Sequence, residues 1–189
     1  MKQVVFATSN QRKIAEATET LGLYGIAVTA RTAAIDEIQH PDSSEVTKAK
    51  ARAAFAVLAT PVVVADTSWS IPALGGFPGA YMKDTNVWLQ PEDWVSLMSR
   101  HDDKRILCHE HVAYYDGTTL EHFHAEYTGY FIDTPRGRDR DDESFEKVVI
   151  LYGNKTMAEQ LEAGELASAG EELAHWHRFG EWYRTLEQG

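Results

Sequence analysis

Cysteine is nearly absent: Cys108 is the one cysteine in 189 residues, so no internal disulfide can form and the fold has to rest on its core. The thiol sits inside a strand-like apolar run, where it reads as packing, and a single cysteine suits a reducing compartment. Long hydrophobic runs are missing too, none approaching the roughly 20 residues of a membrane span. The opening MKQVVFATSN carries one lysine and a short apolar stretch without the h-region of a secretory signal, which gives the expectation of a soluble, cytoplasmic protein. Basic residues are scarce: 18 Lys and Arg against 29 Asp and Glu leave a formal net charge of −11. That balance excludes a nucleic acid polymer as partner, because binding one requires basic surface to displace condensed counterions. The surplus carboxylates can instead supply oxygen ligands to a divalent cation.

With 43% hydrophobic and 25% charged residues, the composition is that of one globular domain over residues 1–189, or of two lobes around a continuous sheet. KQVVFAT predicts a strand, TSNQRK a polar turn, and IAEATETLGL a helix with Ile14, Ala17 and Leu21 on one face. Ile26 to Val28 predict a short second strand, and DSSEVTKAKARAAFAVLA a long helix capped by Asp42 or Ser43. TPVVVAD then returns as a buried strand, so the first part reads as α/β with parallel pairing. Pro91 opens a further helix, PEDWVSLMSR. RILCHEHVAYYDGTTLEHFHAEYTGYFI predicts two strands joined at Asp116-Gly117, an antiparallel lobe over about 104–133. A charged loop, the short apolar run VVILY and two helical patterns, near 155–163 and 170–186, complete the chain.

Two stretches carry chemistry. Thr8, Ser9 and Asn10, followed by Lys13, place small polar groups and a lysine at a helix start, which is a phosphate cradle or simply a helix cap with a solvated lysine. In VVVADTSWSIPALGGFPGAYMK, residues 62–83, Asp66, Thr67 and Ser68 follow the most apolar strand. Ligands gather outside the carboxyl ends of parallel strands, so a carboxylate there can hold a hard cation or orient water; it can equally cap a turn.

ATSNQRK, the glutamate of IDEIQ, ADTSWSIPALGGFPGAYMK, TPRG and the late HWHRF occur in the order found in the inosine/xanthosine triphosphate pyrophosphatase family, which the chain resembles over nearly its whole length. The resemblance implies a metal-dependent hydrolase that cleaves a nucleoside triphosphate between the α and β phosphates. It implies a homodimer and a magnesium cofactor, with manganese as an alternative. By position, Thr8, Ser9, Asn10 and Lys13 would hold phosphate, and Glu37 and Asp66 would bind the metal, Asp66 also orienting the attacking water. The resemblance makes Lys13, Glu37 and Asp66 the expected catalytic set. Thr67, Ser68, Lys83 and Lys50, or its neighbour Lys48, would line the triphosphate, and His177 and Arg178 the base. The fold expected is α/β, a central twisted mixed sheet flanked by helices, in two lobes with an active-site cleft between them.

The chain departs from the family at the base. Where a G-F-G-Y-D-P-x-F stretch is usual it has RGRDRDDESFEK, and where a lysine is frequent it has Glu171 and Glu172. Phe145 or Trp176 is then the expected stacking surface, with a changed base preference or a nucleotide-binding regulatory role as the alternatives. The related Maf-like pyrophosphatases are a poorer match, their early serine-arginine pattern being absent from ATSNQRK.

Four histidines stand outside the resemblance. A two-residue turn at Asp116-Gly117 would set His109 opposite His124 and His111 opposite His122, and a four-residue turn, DGTT, would set His111 opposite His124. Four imidazoles on one face could bind a transition metal, or form a solvated or dimer-facing surface.

Overall fold

The computed structural model describes residues 2–138, 143–164 and 173–186. The chain forms two compact units: Met1–Thr67 with Glu110–Ala125 and Ala167–Gly189, and Ser68–His109 with Glu126–Leu166. The long hairpin contributes residues to each of them.

In the first unit, β1 (Lys2–Ala7) lies between two parallel neighbours, β2 (Ile26–Arg31) and β3 (Val62–Ser70). Strand order continues through β5 (Arg105–Tyr115) to β6 (Leu120–Phe131), giving a mixed sheet. Helix α1 (Gln11–Gly22) starts where Asn10 Oδ1 accepts the N–H groups of Arg12 and Lys13 at 3.0 and 3.2 Å. Its buried stripe, Ala17 and Leu21, packs with Val4, Phe6, Val112 and the aromatic residues of α6 (Ala174–Tyr183). The other face is covered by α2 (Ser43–Leu58), whose Ala51 and Ala54 meet Val62, Val64 and Ala113. Asp42 is the α2 cap, accepting the Ser44 N–H at 2.8 Å.

In the second unit, Trp69, Ile71, Trp94, Phe131, Phe145 and Val149 form the core. β4 (Pro78–Gly79) folds back antiparallel on β3, with Trp69 opposite Gly79, and α3 (Met82–Trp88) and α4 (Pro91–Met98) follow. β7 (Val149–Ile150) pairs with β6 before α5 (Met157–Glu162).

Three expectations are corrected, and the hairpin is decided between its two alternatives. The VVVAD strand does not stop at Asp66 but runs to Ser70, because Ser68 and Trp69 are buried beyond it. The second strand is longer than expected, Ile26–Arg31, since β1 pairs with it along its full length. The pattern over YMKDTNVW is a helix, α3, where none was expected. The hairpin turn spans Asp116 to Thr119: the Asp116 N–H donates to the Thr119 carbonyl at 3.3 Å, while Asp116 Oδ1 accepts from Thr118 and Thr119 at 2.9 and 2.7 Å. The aspartate cap thus enforces the DGTT register, and the rings of His111 and His124 stack with centroids 4.7 Å apart. The late helix begins at Ala174; the residues before it, Glu171 and Glu172 included, lie outside the described residues. Among the described residues, no helix is long and apolar enough to cross a membrane.

Candidate active site

The carboxyl end of β1 leads into Thr8, whose N–H is held by the Arg31 carbonyl at 3.0 Å and whose Oγ1 accepts the Asn10 N–H at 3.1 Å. These bonds fix the turn at the start of α1. Lys13 is half-buried there, whereas Ser9 and Asn10 are exposed. Asn10 is therefore the helix cap, and its amide oxygen is spent on backbone donors.

Three expected residues converge on one point of the first unit. Lys50, projecting from α2, places its ammonium 2.6 Å from Glu37 Oε1 and 3.6 Å from Asp66 Oδ1. Burial alone would lower the Lys50 pKa, but the Asp66 and Glu37 carboxylates outweigh it and raise the value above the usual one. Lys48, the alternative, is paired instead with Glu45 at 2.8 Å. Two carboxylates held around a single cation are a donor set of hard oxygens that suits a divalent ion completed by water and phosphate oxygens.

Thr67 turns away from Asp66, as successive strand residues must, and its Oγ1 donates to Glu110 Oε2 at 2.8 Å. Glu110 was not among the expected residues. Burial raises its carboxyl above the usual range, opposed by the Lys13 charge and the Thr67 hydrogen bond. The signal was present in the strand: Glu110 shares its face with Val112 and Tyr114, both core positions, and an acid in that register needs polar partners.

The late motif divides. His177 is half-buried, its Nδ1 2.8 Å from the Tyr24 hydroxyl. Arg178 is exposed and donates to the His124 carbonyl. His175, buried to 2% exposure, has an Nδ1 without a hydrogen-bond partner among the described residues. Burial, reinforced by Lys13, His111, His177 and Arg178, pushes its pKa down to about 3, so the ring is neutral.

The expected stacking surfaces are not available. Trp176 is 1% exposed, its ring 5.0 Å edge-on from Phe6 and 6.0 Å from Phe179 in the first core. Phe145 is 3% exposed and meets Trp69 at 4.9 Å in the second. In each case the sequence position is occupied by an aromatic that hydrophobic burial has claimed.

In the second unit, Ser68 is buried and Lys83 stands exposed in the first turn of α3. ALGGFPG closes on Ile71, whose carbonyl accepts the Gly76 N–H at 3.1 Å while its N–H donates to the Phe77 carbonyl at 2.8 Å. Gly76 sits at φ +96°, open to glycine without strain. TPRG is explained by packing: a Cβ on Gly137, at φ +92°, would lie 2.8 Å from Ala158 Cβ and 2.9 Å from Glu159 N. Arg136 anchors the same approach, its carbonyl accepting the Thr156 hydroxyl at 3.1 Å.

Comparison with known proteins identifies relatives of the chain. A dITP/XTP pyrophosphatase of Methanopyrus kandleri is 28% identical over 188 residues, 99% of either chain. Another so named, from Pyrobaculum aerophilum, is 32% identical over 136 residues, 72% of this chain and 73% of that one. The fold of a HAM1 protein from Coxiella burnetii superposes with a TM-score of 0.76 at 19% identity, covering 98% of this chain and all (100%) of the other. The Staphylococcus aureus Ham1 protein gives 0.68 at 18% identity, covering 96% of this chain and 100% of that one. Residues 4–167, from the first strand through TPRG and α5, match the profile of the Ham1 family, and the chain belongs to that family.

Proposed function

We propose that this protein is a nucleoside triphosphate pyrophosphatase that removes altered purine nucleotides, yielding the nucleoside monophosphate and pyrophosphate. The observation that carries this reading is the meeting of Glu37 and Asp66 at Lys50, the residues that the resemblance assigns to the metal and the triphosphate. The dITP/XTP and inosine triphosphate pyrophosphatases among its relatives support the substrate class.

A triphosphate carries up to four negative charges and repels an incoming nucleophile, so catalysis is positioning plus charge neutralisation. Lys13 and Lys50 neutralise the phosphates, Thr8 and Ser9 line the turn, and the Asn10 amide NH2 group is the donor left by its capping oxygen. Thr67, held by Glu110, lines the phosphate path. Asp66 orients the attacking water and accepts its proton. Glu37 and Asp66 hold magnesium, or manganese in its place, which when bound supplies charge neutralisation at the phosphates. His177 and Arg178 take the base. With Trp176 and Phe145 buried, stacking falls to another group, which favours an altered base preference within the same reaction.

The protein acts in the cytoplasm as a homodimer; the exposed Tyr81, which caps α3, and Val87 and Trp88 within that helix support the dimer. A nucleotide-binding regulatory role fits less well, because a binder has little use for paired carboxylates around a lysine.

The test is a panel of ordinary and altered ribo- and deoxyribonucleoside triphosphates with magnesium, assayed for pyrophosphate against orthophosphate. Pyrophosphate from inosine or xanthosine nucleotides is the expected result; orthophosphate, or no product from any of them, would refute the reading.

A further inference from the structure

Two of the histidines outside the family motifs, His111 and His122, form one hydrogen-bonded chain with Ser43. His111, 4% exposed on β5, spends both ring nitrogens: Nε2 lies 2.8 Å from Ser43 Oγ, and Nδ1 lies 3.0 Å from His122 Nε2. His124 stacks on the His111 ring at 4.7 Å, tilted 27°, and His122 packs against it at 5.2 Å, tilted 21°. The ring is held in one plane, with a hydroxyl at one nitrogen and an imidazole at the other.

We propose that Ser43, His111 and His122 form a second nucleophilic site, one that hydrolyses activated, uncharged esters of small carboxylic acids. The arrangement has the three parts that such chemistry requires: a half-exposed hydroxyl, a buried base in hydrogen-bond contact with it, and a third group that orients the base. The competent proton arrangement has Ser43 donating to His111 Nε2 and His111 Nδ1–H donating to His122 Nε2. Burial, with Lys48 and His124, lowers the His122 pKa against the opposing Asp42 and Glu45, so that ring is a neutral acceptor.

In the acylation step Ser43 Oγ attacks the ester carbonyl carbon and its proton passes to His111 Nε2. The carbon–oxygen bond to the leaving group breaks, and His111 returns the proton to the departing alcohol. Water then attacks the acyl-serine, its proton again taken by His111, releasing the carboxylic acid and restoring the Ser43 hydroxyl. Asp42 and Glu45 beside the serine disfavour anionic acyl groups, which sets the substrate class. A general base of this kind contributes on the order of 10²- to 10⁴-fold, sufficient for an activated ester and far short of amide hydrolysis.

The test treats the intact protein with a fluorophosphonate probe, locates the label by peptide mass spectrometry, and follows p-nitrophenyl acetate hydrolysis in parallel. Labelling of Ser43 is expected, with loss of label and at least a tenfold fall in ester hydrolysis in Ser43→Ala. His111→Gln and His122→Gln should each slow labelling at least tenfold. Because His111 is buried, the Ser43→Ala result is read alongside thermal melting, and Ser43→Cys should regain alkylation by iodoacetamide that depends on His111. Absence of label on Ser43, or ester hydrolysis unchanged in Ser43→Ala, would overturn the proposal. Nucleotide cleavage is measured separately, so failure here leaves the pyrophosphatase reading to its own test.

Discussion

The Lys50 ammonium bonds Glu37 Oε1 at 2.6 Å, and this contact, rather than proximity along the helix, selects Lys50 over Lys48. Lys50→Met removes the ammonium that Glu37 and Asp66 share. Pyrophosphate release should fall on the order of 10²-fold or more, the scale of a lost electrostatic contact to the reacting centre. Lys48→Met breaks only the exposed pair with Glu45 and should stay within about twofold of the parent. Steady-state assays of the two variants side by side check this; equal losses would contradict it.

Trp176→Ala is expected to act on folding rather than on the Michaelis constant. Removing a fully buried indole from its contacts with Phe6 and Phe179 should cost about 3–5 kcal/mol. Denaturant titration gives the stability, and KM measured on the folded fraction should change less than about threefold.

Glu110 pays a desolvation cost when ionised, so its carboxyl titrates above the usual 4.5 in the folded protein. A raised folded value means stability is greatest below the unfolded value and is lost as pH rises through the folded one. Glu110→Gln keeps an acceptor for the Thr67 hydroxyl and removes the charge. Its melting temperature should exceed the parent's at pH 7 to 8, and the gap should close as pH falls towards about 4.5. A gap that is constant with pH would rule out the buried charge as its cause.

His175 works in the opposite sense. Its folded value of about 3 lies below the usual 6.5, so within that window the unfolded chain holds a proton that the folded chain does not. Stability should therefore fall as pH drops from 6.5 towards 3, by up to about 1.4 kcal/mol per pH unit from this ring. His175→Phe should flatten that part of the profile, which urea unfolding at a series of pH values can measure.

Gly137→Ala should lower stability by roughly 2–4 kcal/mol, since the residue needs a left-handed φ and its methyl would press on Ala158 and Glu159. Ala at Gly153, also at positive φ but with open space around it, should cost only the backbone strain, about 1 kcal/mol. Thermal melts of the pair separate packing from conformation.

The family motifs were legible because their chemistry is local in the chain. Asn10 caps α1 and Asp42 caps α2 through bonds that reach only two or three residues, so side-chain type and spacing suffice to place them. The continuous apolar run VVVA and the aspartate after it likewise marked β3 and Asp66, although not the strand's true end. The hairpin register was not legible between its two alternatives, since either turn satisfies the pattern, and the Asp116 carboxylate made the choice by capping Thr118 and Thr119.

Sequence by itself determined the family, because its motifs stand in the family's order along the chain and motif order needs no tertiary contact to be read. Only the tertiary structure decided which aromatic rings were left for a base, which lysine joined Glu37 and Asp66, and that Ser43, His111 and His122 meet at all. Each of these depends on which surfaces are buried against which, and burial is a property of elements far apart in the chain. Trp176 and Phe145 satisfy any sequence pattern for stacking; the cores around Phe6 and Trp69 had already taken them.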